Sequence, residues 1–158
     1  MVRRLSDVGL GFVESAPVRL VFAADVRVPP QDVYRALAQE TAQWPRWFSA
    51  VTFAGPTTRG REVHLRGGIR FMETVLAAEP SIRYAYRIDL TNAPGVTAMV
   101  EDWRIRPAGA ATRVAWTMAV DGPAPLRVAL RAARPGVGRS FRAAMRALDA
   151  RLAATKAD

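Results

Sequence analysis

The last third of the chain carries one long apolar stripe. Val137, Phe141, Met145, Leu148 and Leu152 recur at spacings of four, four, three and four. That period places them on one side of a long helix, with Arg139, Arg142, Arg146, Asp149 and Arg151 off it. A helix with one apolar face must bury it against another layer. Upstream, most segments alternate apolar and polar residues with a period of two, which is the pattern of half-buried strands. The chain therefore reads as α+β, with an antiparallel sheet whose apolar concave face is covered by one helix.

The first strand is VRLVFAADVRV, where Leu20, Phe22, Ala24 and Val26 share a face. Pro29 and Pro30 end it, and Pro30 suits the start of a short helix through QDVYRALAQ. A second short turn of helix is expected in QETAQWPRWFSA, interrupted by Pro45. About six strands follow. VTFAG is short, and REVHLRG sets Val63 and Leu65 on one face. GIRFMETVLAAEP is ambiguous, because Phe71, Glu73, Val75 and Ala77 oppose an equally apolar Met72, Thr74, Leu76 and Ala78. RYAYRIDL gathers Tyr84, Tyr86, Ile88 and Leu90. VTAMVEDWRIR sets Thr97, Met99, Glu101, Trp103 and Ile105 inward, and Ala98, Val100, Asp102, Arg104 and Arg106 toward water. A hairpin around Gly109 leads to TRVAWTMAV, with Thr112, Val114, Trp116, Met118 and Val120 on one face. Pro135 and Gly136 are expected to separate PLRVALRAA from the long helix. Residues 1–16 read as a loosely attached arm, and residues 17–155 as a single domain.

Several function classes drop out on composition. There are no cysteines, which excludes disulfides, thiolate nucleophiles and cysteine-ligated metals. His64 is the only histidine, which argues against a multi-histidine metal site or a Ser-His-Asp triad. It falls between Val63 and Leu65 and is expected on the outward face. No metal and no cofactor is called for. No window approaches the roughly 18 apolar residues of a membrane span. The start MVRRLSDVGLGFVESAP lacks the apolar core of a signal peptide, so a cytoplasmic location is expected. The net charge of +9 permits an anionic partner. Even so, the seven arginines at 127, 131, 134, 139, 142, 146 and 151 read as the solvated outer side of the terminal helix. No nucleic-acid motif accompanies them, and no nucleic-acid partner is expected. The sequence sets no oligomeric state.

The inward faces collect Phe71, Tyr84, Tyr86, Met99, Trp103, Trp116 and Met118. Aromatics and methionines around a few polar groups suit either a packed core or a small-molecule pocket. Glu101 is the sharpest candidate, since a carboxylate on an inward face must be paired, hydrogen-bonded or protonated. It either sits in a pocket or pairs with an arginine at the strand end. Glu73 is a second candidate whose facing the alternation does not decide. Of Trp44 and Trp47, one is expected to anchor the short helices and the other to wall a cavity mouth.

The order AADVRVPPQDVYRALAQETAQWPRWF, FMETVLAAEPSIRYAYRI, EDWRIRPAGAATRVAWT and terminal helix resembles the START-like helix-grip superfamily (SRPBCC), in its polyketide cyclase/dehydrase and lipid-transport branch. The turn AGAAT departs from the Gly-Gly-Thr of many relatives. The resemblance implies a curved antiparallel sheet of six or seven strands wrapped around the C-terminal helix, with a cavity between them. It implies a hydrophobic small-molecule partner, lipid or polyketide-like; the residues expected to bind it are Glu101, Trp103, Tyr84, Tyr86, Met99, Trp116, Met118, Phe71 and Glu73, taken from the alternation. Some relatives are aromatases or cyclases instead. The superfamily has no universal catalytic motif, so the resemblance assigns no catalytic residue, and binding and acid/base catalysis both stay open.

Overall fold

The structure is a computed structural model that describes residues 1–157. It opens with β1 (Arg3–Arg4), α1 (Phe12–Ser15), β2 (Val18–Val26) and α2 (Pro30–Tyr34). A π-helical turn (Arg35–Gln39) and a 3-10 segment (Thr41–Arg46) follow. Then come β3 (Val51–Pro56), β4 (Gly60–Leu65), β5 (Ile69–Glu79), β6 (Arg83–Thr91), β7 (Ala98–Ala108) and β8 (Ala111–Asp121), before α3 (Ala124–Ala157). The main sheet runs β2-β8-β7-β6-β5-β4-β3, with every neighbour antiparallel. It curls around α3, whose Phe141, Met145, Leu148 and Leu152 are buried against it. No helix among the described residues is long and apolar enough to cross a membrane.

Four local expectations give way. The first concerns the arm. β6 pairs with β7 over Arg83–Arg87 and then leaves it, and β1 takes the vacated edge opposite Leu90 and Thr91. Leu5 N–H donates to Asp89 O and Ser6 N–H to Thr97 O, both at 2.8 Å, so the arm stitches the parted strands. Leu5 and Val13 are buried, and residues 1–16 are docked rather than loose. The second follows from the first. α1 packs over β7 and β8 on the convex side. Ala98, Val100 and Asp102 are therefore buried rather than wet, and Asp102 is held by Arg83 Nε at 2.8 Å and Arg104 Nε at 3.0 Å.

A bulge accounts for the third. The β5–β6 register slips so that Met72 faces Leu90 but Glu73 faces Ile88, leaving Asp89 as the extra residue. One extra residue reverses every facing beyond it. Leu90 thus leaves the inward face of Tyr84, Tyr86 and Ile88, and Thr91 takes its place, fully buried.

The fourth is the terminal helix, which is continuous through Pro135 over 34 residues. A proline inside a helix frees the carbonyl four residues earlier. Here Pro135 lies on the exposed side, where water can satisfy that carbonyl. Arg127, Arg131, Arg134 and Arg151 also do more than meet solvent. Arg131 Nη2 donates to Pro17 O at 2.9 Å and Arg134 Nη2 to Val21 O at 3.0 Å. Arg131 and Arg134 cap carbonyls just before and within β2, an end strand of the sheet, whose outer edge would otherwise invite another strand.

Candidate functional site

Between the concave face and α3 lies a cavity of about 230 Å³. Period-two alternation supplies most of its wall: Arg61, Val63 and Leu65 from β4, Phe71 and Glu73 from β5, Tyr86 from β6, Met99 and Glu101 from β7, Trp116 and Met118 from β8. Trp44, Phe48, Ala50 and Val51 close one side, and Val137 and Ser140 of α3 close another. Ala50, Leu65, Met118, Val137 and Ser140 are half-buried and mark the mouth. Arg61, Glu73, Tyr86, Glu101 and Trp116 are buried and form the closed end.

Of the residues expected at a site, Phe71, Glu73, Tyr86, Met99, Glu101, Trp116 and Met118 line this cavity. Trp103 and Tyr84 do not; they back its wall. The segment around Trp44 and Phe48 folds down onto Trp103, with both rings edge-on to it at 5.6 and 6.5 Å. That covering removes the Trp103 end of the concave face from the cavity. Tyr84 packs beside Tyr86 at 5.3 Å, also off the lining. Trp44 and Trp47 are both buried. Trp44 lines the cavity and is fixed by Nε1–H donating to Leu37 O at 3.0 Å, whereas Trp47 does not line it. His64 lies apart, half-buried, with Nε2 2.7 Å from Glu62 Oε1.

Glu101 sits in a network built from two indoles and a phenol. Trp116 Nε1–H donates to Glu101 Oε1 at 2.8 Å, and Tyr86 O–H donates to the same oxygen at 3.2 Å. Trp103 Nε1–H in turn donates to the Tyr86 oxygen at 3.2 Å, which orients the phenol. Trp103 and Trp116 stack with centroids 5.2 Å apart, so one aromatic pair aims both N–H groups at one polar cluster. Both donors fall on Oε1. Oε2 has no hydrogen-bond partner among the described residues. Burial pushes the Glu101 carboxyl up to about 7, and the nearby Glu73 charge adds to the rise. Arg61 and the two donors pull it back in part. When Glu101 takes a proton, Oε2 must carry it, because Oε1 already accepts two hydrogen bonds.

Arg61 is the residue that sequence reading passed over. Its side chain is almost fully buried, and its Nε is 2.5 Å from Glu73 Oε2. The guanidinium carbon sits 4.0 Å from the Trp44 ring centroid and 4.6 Å from that of Tyr86, a cation held between two π faces. Its Nη1 is buried with no acceptor among the described residues. Arg61 stays charged, because burial opposes its charge less than Glu73 and the tyrosines favour it. For Glu73, burial raises the pKa more than Arg61 lowers it. We take the pair as ionic, since a neutral Glu73 would leave the guanidinium, which does not deprotonate, alone in an apolar wall. The signal for Arg61 was present: residues 61, 63 and 65 share a face by the alternation that turned Val63 and Leu65 inward.

Gly60 sets the approach of β4 to β5 just before this pair. A Cβ there would overlap the Glu73 carbonyl oxygen and lie 3.2 Å from Thr74 Cα. Backbone cannot yield as a flexible side chain does. Gly60→Ala is expected to cost about 1–3 kcal/mol, the usual range for overpacking, read as a lower urea midpoint. An unchanged midpoint would mean that β4 is free to move off β5.

A family model described as polyketide cyclase / dehydrase and lipid transport matches residues 17–153. The chain belongs to that family. The match takes in every cavity-lining residue named above. Uncharacterized proteins of Mycobacterium tuberculosis and Mycobacterium bovis are 35% identical over 160 residues, covering 94% of this chain and 95% of theirs. Among solved structures, a START superfamily protein from Mycobacterium smegmatis superposes with a TM-score of 0.66 at 12% identity, covering 87% of this chain and 98% of that one. The Zhui aromatase/cyclase from Streptomyces sp. R1128 superposes at 0.68 with 19% identity, covering 85% and 93%. At those identities the superpositions establish the START-like fold. Membership in the polyketide cyclase/dehydrase and lipid-transport family supports a ligand-binding or cyclase role for the cavity.

Proposed function

We propose that the cavity binds a hydrophobic, ring-containing small molecule with Glu101 Oε2 as its polar anchor. The observation that carries this reading is the half-used carboxyl. A buried acid normally has its oxygens satisfied. Glu101 instead leaves one oxygen without a partner among the described residues, in the wall of a cavity lined chiefly by Trp44, Phe48, Phe71, Met99 and Trp116. The size suits a ligand of one or two rings, since a cavity of about 150 Å³ lined by apolar side chains already admits benzene. Native mass spectrometry after gentle purification tests the reading. A ligand adduct is expected on the wild-type protein and not on Ser140→Trp, which fills the mouth while leaving the closed end intact. An adduct of equal occupancy on both proteins would place the ligand elsewhere.

A second reading is favoured by one feature, the coincidence of that free oxygen with a carboxyl poised near neutrality. A general acid/base works best when its pKa lies near the working pH. In this reading the cavity is a cyclase or dehydratase site. Glu101 Oε2 takes a proton from the carbon beside a carbonyl and returns it to carbon or to a leaving hydroxyl. Proton exchange into the α-position of a bound aryl ketone in D2O separates the two readings. Catalysis predicts exchange that falls roughly 10²–10⁴-fold in Glu101→Gln, whose amide keeps the shape but acts as neither acid nor base near neutral pH. Simple binding predicts no protein-dependent exchange.

A further inference from the structure

The charges around the cavity narrow what it can hold. Arg61 is the one basic side chain in the lining, and Glu73 already neutralises it at 2.5 Å. The other acid, Glu101, faces the same space with Oε2 free. An entering carboxylate would therefore meet an ion pair of no net charge and one further acid, with no free positive charge to offset its lost hydration. An uncharged ligand with a carbonyl-type oxygen meets the opposite situation. Oε1 accepts from Trp116 and Tyr86, so the proton of a neutral Glu101 lies on Oε2 and points at the ligand as a donor. Arg61 adds capacity, since among the described residues its side chain's only hydrogen bond is to Glu73.

Resting on the cavity-binding reading above, we propose that this cavity selects uncharged ring-containing ligands bearing a carbonyl-type oxygen and excludes carboxylates, free fatty acids among them. Glu101 is the donor to that oxygen. Glu73 is the residue that sets the exclusion, by removing Arg61 from use as an anion site. The selectivity follows from the buried charges rather than from cavity shape, so ligands of one shape should be sorted by charge and acceptor alone.

Acetophenone, isopropylbenzene and benzoate share a ring and a three-atom planar or branched substituent, and differ mainly in acceptor and charge. Titration at pH 6, followed through the indole Nε1–H resonances, is expected to rank acetophenone about tenfold or more tighter than isopropylbenzene, the factor of one net hydrogen bond. Benzoate is expected to bind weaker than isopropylbenzene. In Glu73→Gln, Arg61 is released and benzoate is expected to overtake isopropylbenzene. Equal binding of acetophenone and isopropylbenzene, or benzoate binding as tightly as acetophenone to the wild-type protein, overturns the selectivity while leaving a binding cavity. Failure of all three to bind overturns the cavity-binding reading as well. The wild-type ranking decides the matter even if Glu73→Gln does not fold.

Discussion

Arg61→Met is expected to lower the thermal midpoint by on the order of 10 °C, as follows from the usual cost of breaking a buried ion pair. The guanidinium is held by Glu73 and by the faces of Trp44 and Tyr86, inside the core rather than at its rim. Removing one partner of a buried ion pair costs about 3–5 kcal/mol, because the other charge is left uncompensated. For a domain of this length each kcal/mol moves the midpoint by about 2–4 °C. The deficit should grow with pH. Without Arg61 the Glu73 carboxyl, already raised, rises further, so the folded variant holds a proton that the unfolded chain gives up. The double variant Arg61→Met/Glu73→Leu should recover most of the loss, since a packed apolar pair often replaces a buried ion pair at little cost. A single variant as stable as the wild type would mean that the pair does not hold the closed end together.

Glu101→Gln should make the protein more stable at pH 8, by about 3 kcal/mol, and by only about 1 kcal/mol or less at pH 5. The folded-state value of about 7 lies above the ordinary 4.5. A raised acid binds its proton more tightly in the folded state, so its contribution is full below about pH 4.5. It fades as pH climbs toward 7 and is gone above it. A tenfold difference in proton affinity between the folded and unfolded chain corresponds to about 1.4 kcal/mol. The wild-type protein should therefore lose stability from pH 5 to pH 8, and the glutamine variant should lose less. Glu73 is raised in the same direction. It is present in both proteins, so the difference between their urea midpoints reports Glu101 together with its coupling to Glu73. Parallel pH profiles would show that Glu101 titrates normally.

How far the sequence could be read depended on how local each cause was. The faces of β7 and β8 are intact ladders from Ala98–Asp121 to Ala108–Ala111, and there alternation placed Met99, Glu101, Trp116 and Met118 correctly. Glu101 stands out because it breaks an apolar pattern, and Arg61 breaks one in the same way beside Val63 and Leu65. Leu90 was misplaced because one residue at Asp89 bulges, and a single slip leaves no mark in composition. The arm was misjudged because Leu5 and Val13 are isolated apolar residues with no period. What holds them is the parting of β6 from β7, which no short window contains. Trp103 faced inward as expected, yet Trp44 and Phe48 cover it, a contact between residues far apart in the chain.

The two stacked indoles have an optical consequence. Trp116 donates directly to the carboxyl that titrates near neutrality, and Trp103 lies on the same ring stack, one phenol away. An indole excited state responds to a charge appearing at its N–H. The emission of the untouched protein should therefore shift as Glu101 ionises, and the proposed binding at Oε2 predicts a second shift. If the cavity binds as proposed, its occupancy should be readable by light alone, without an attached label.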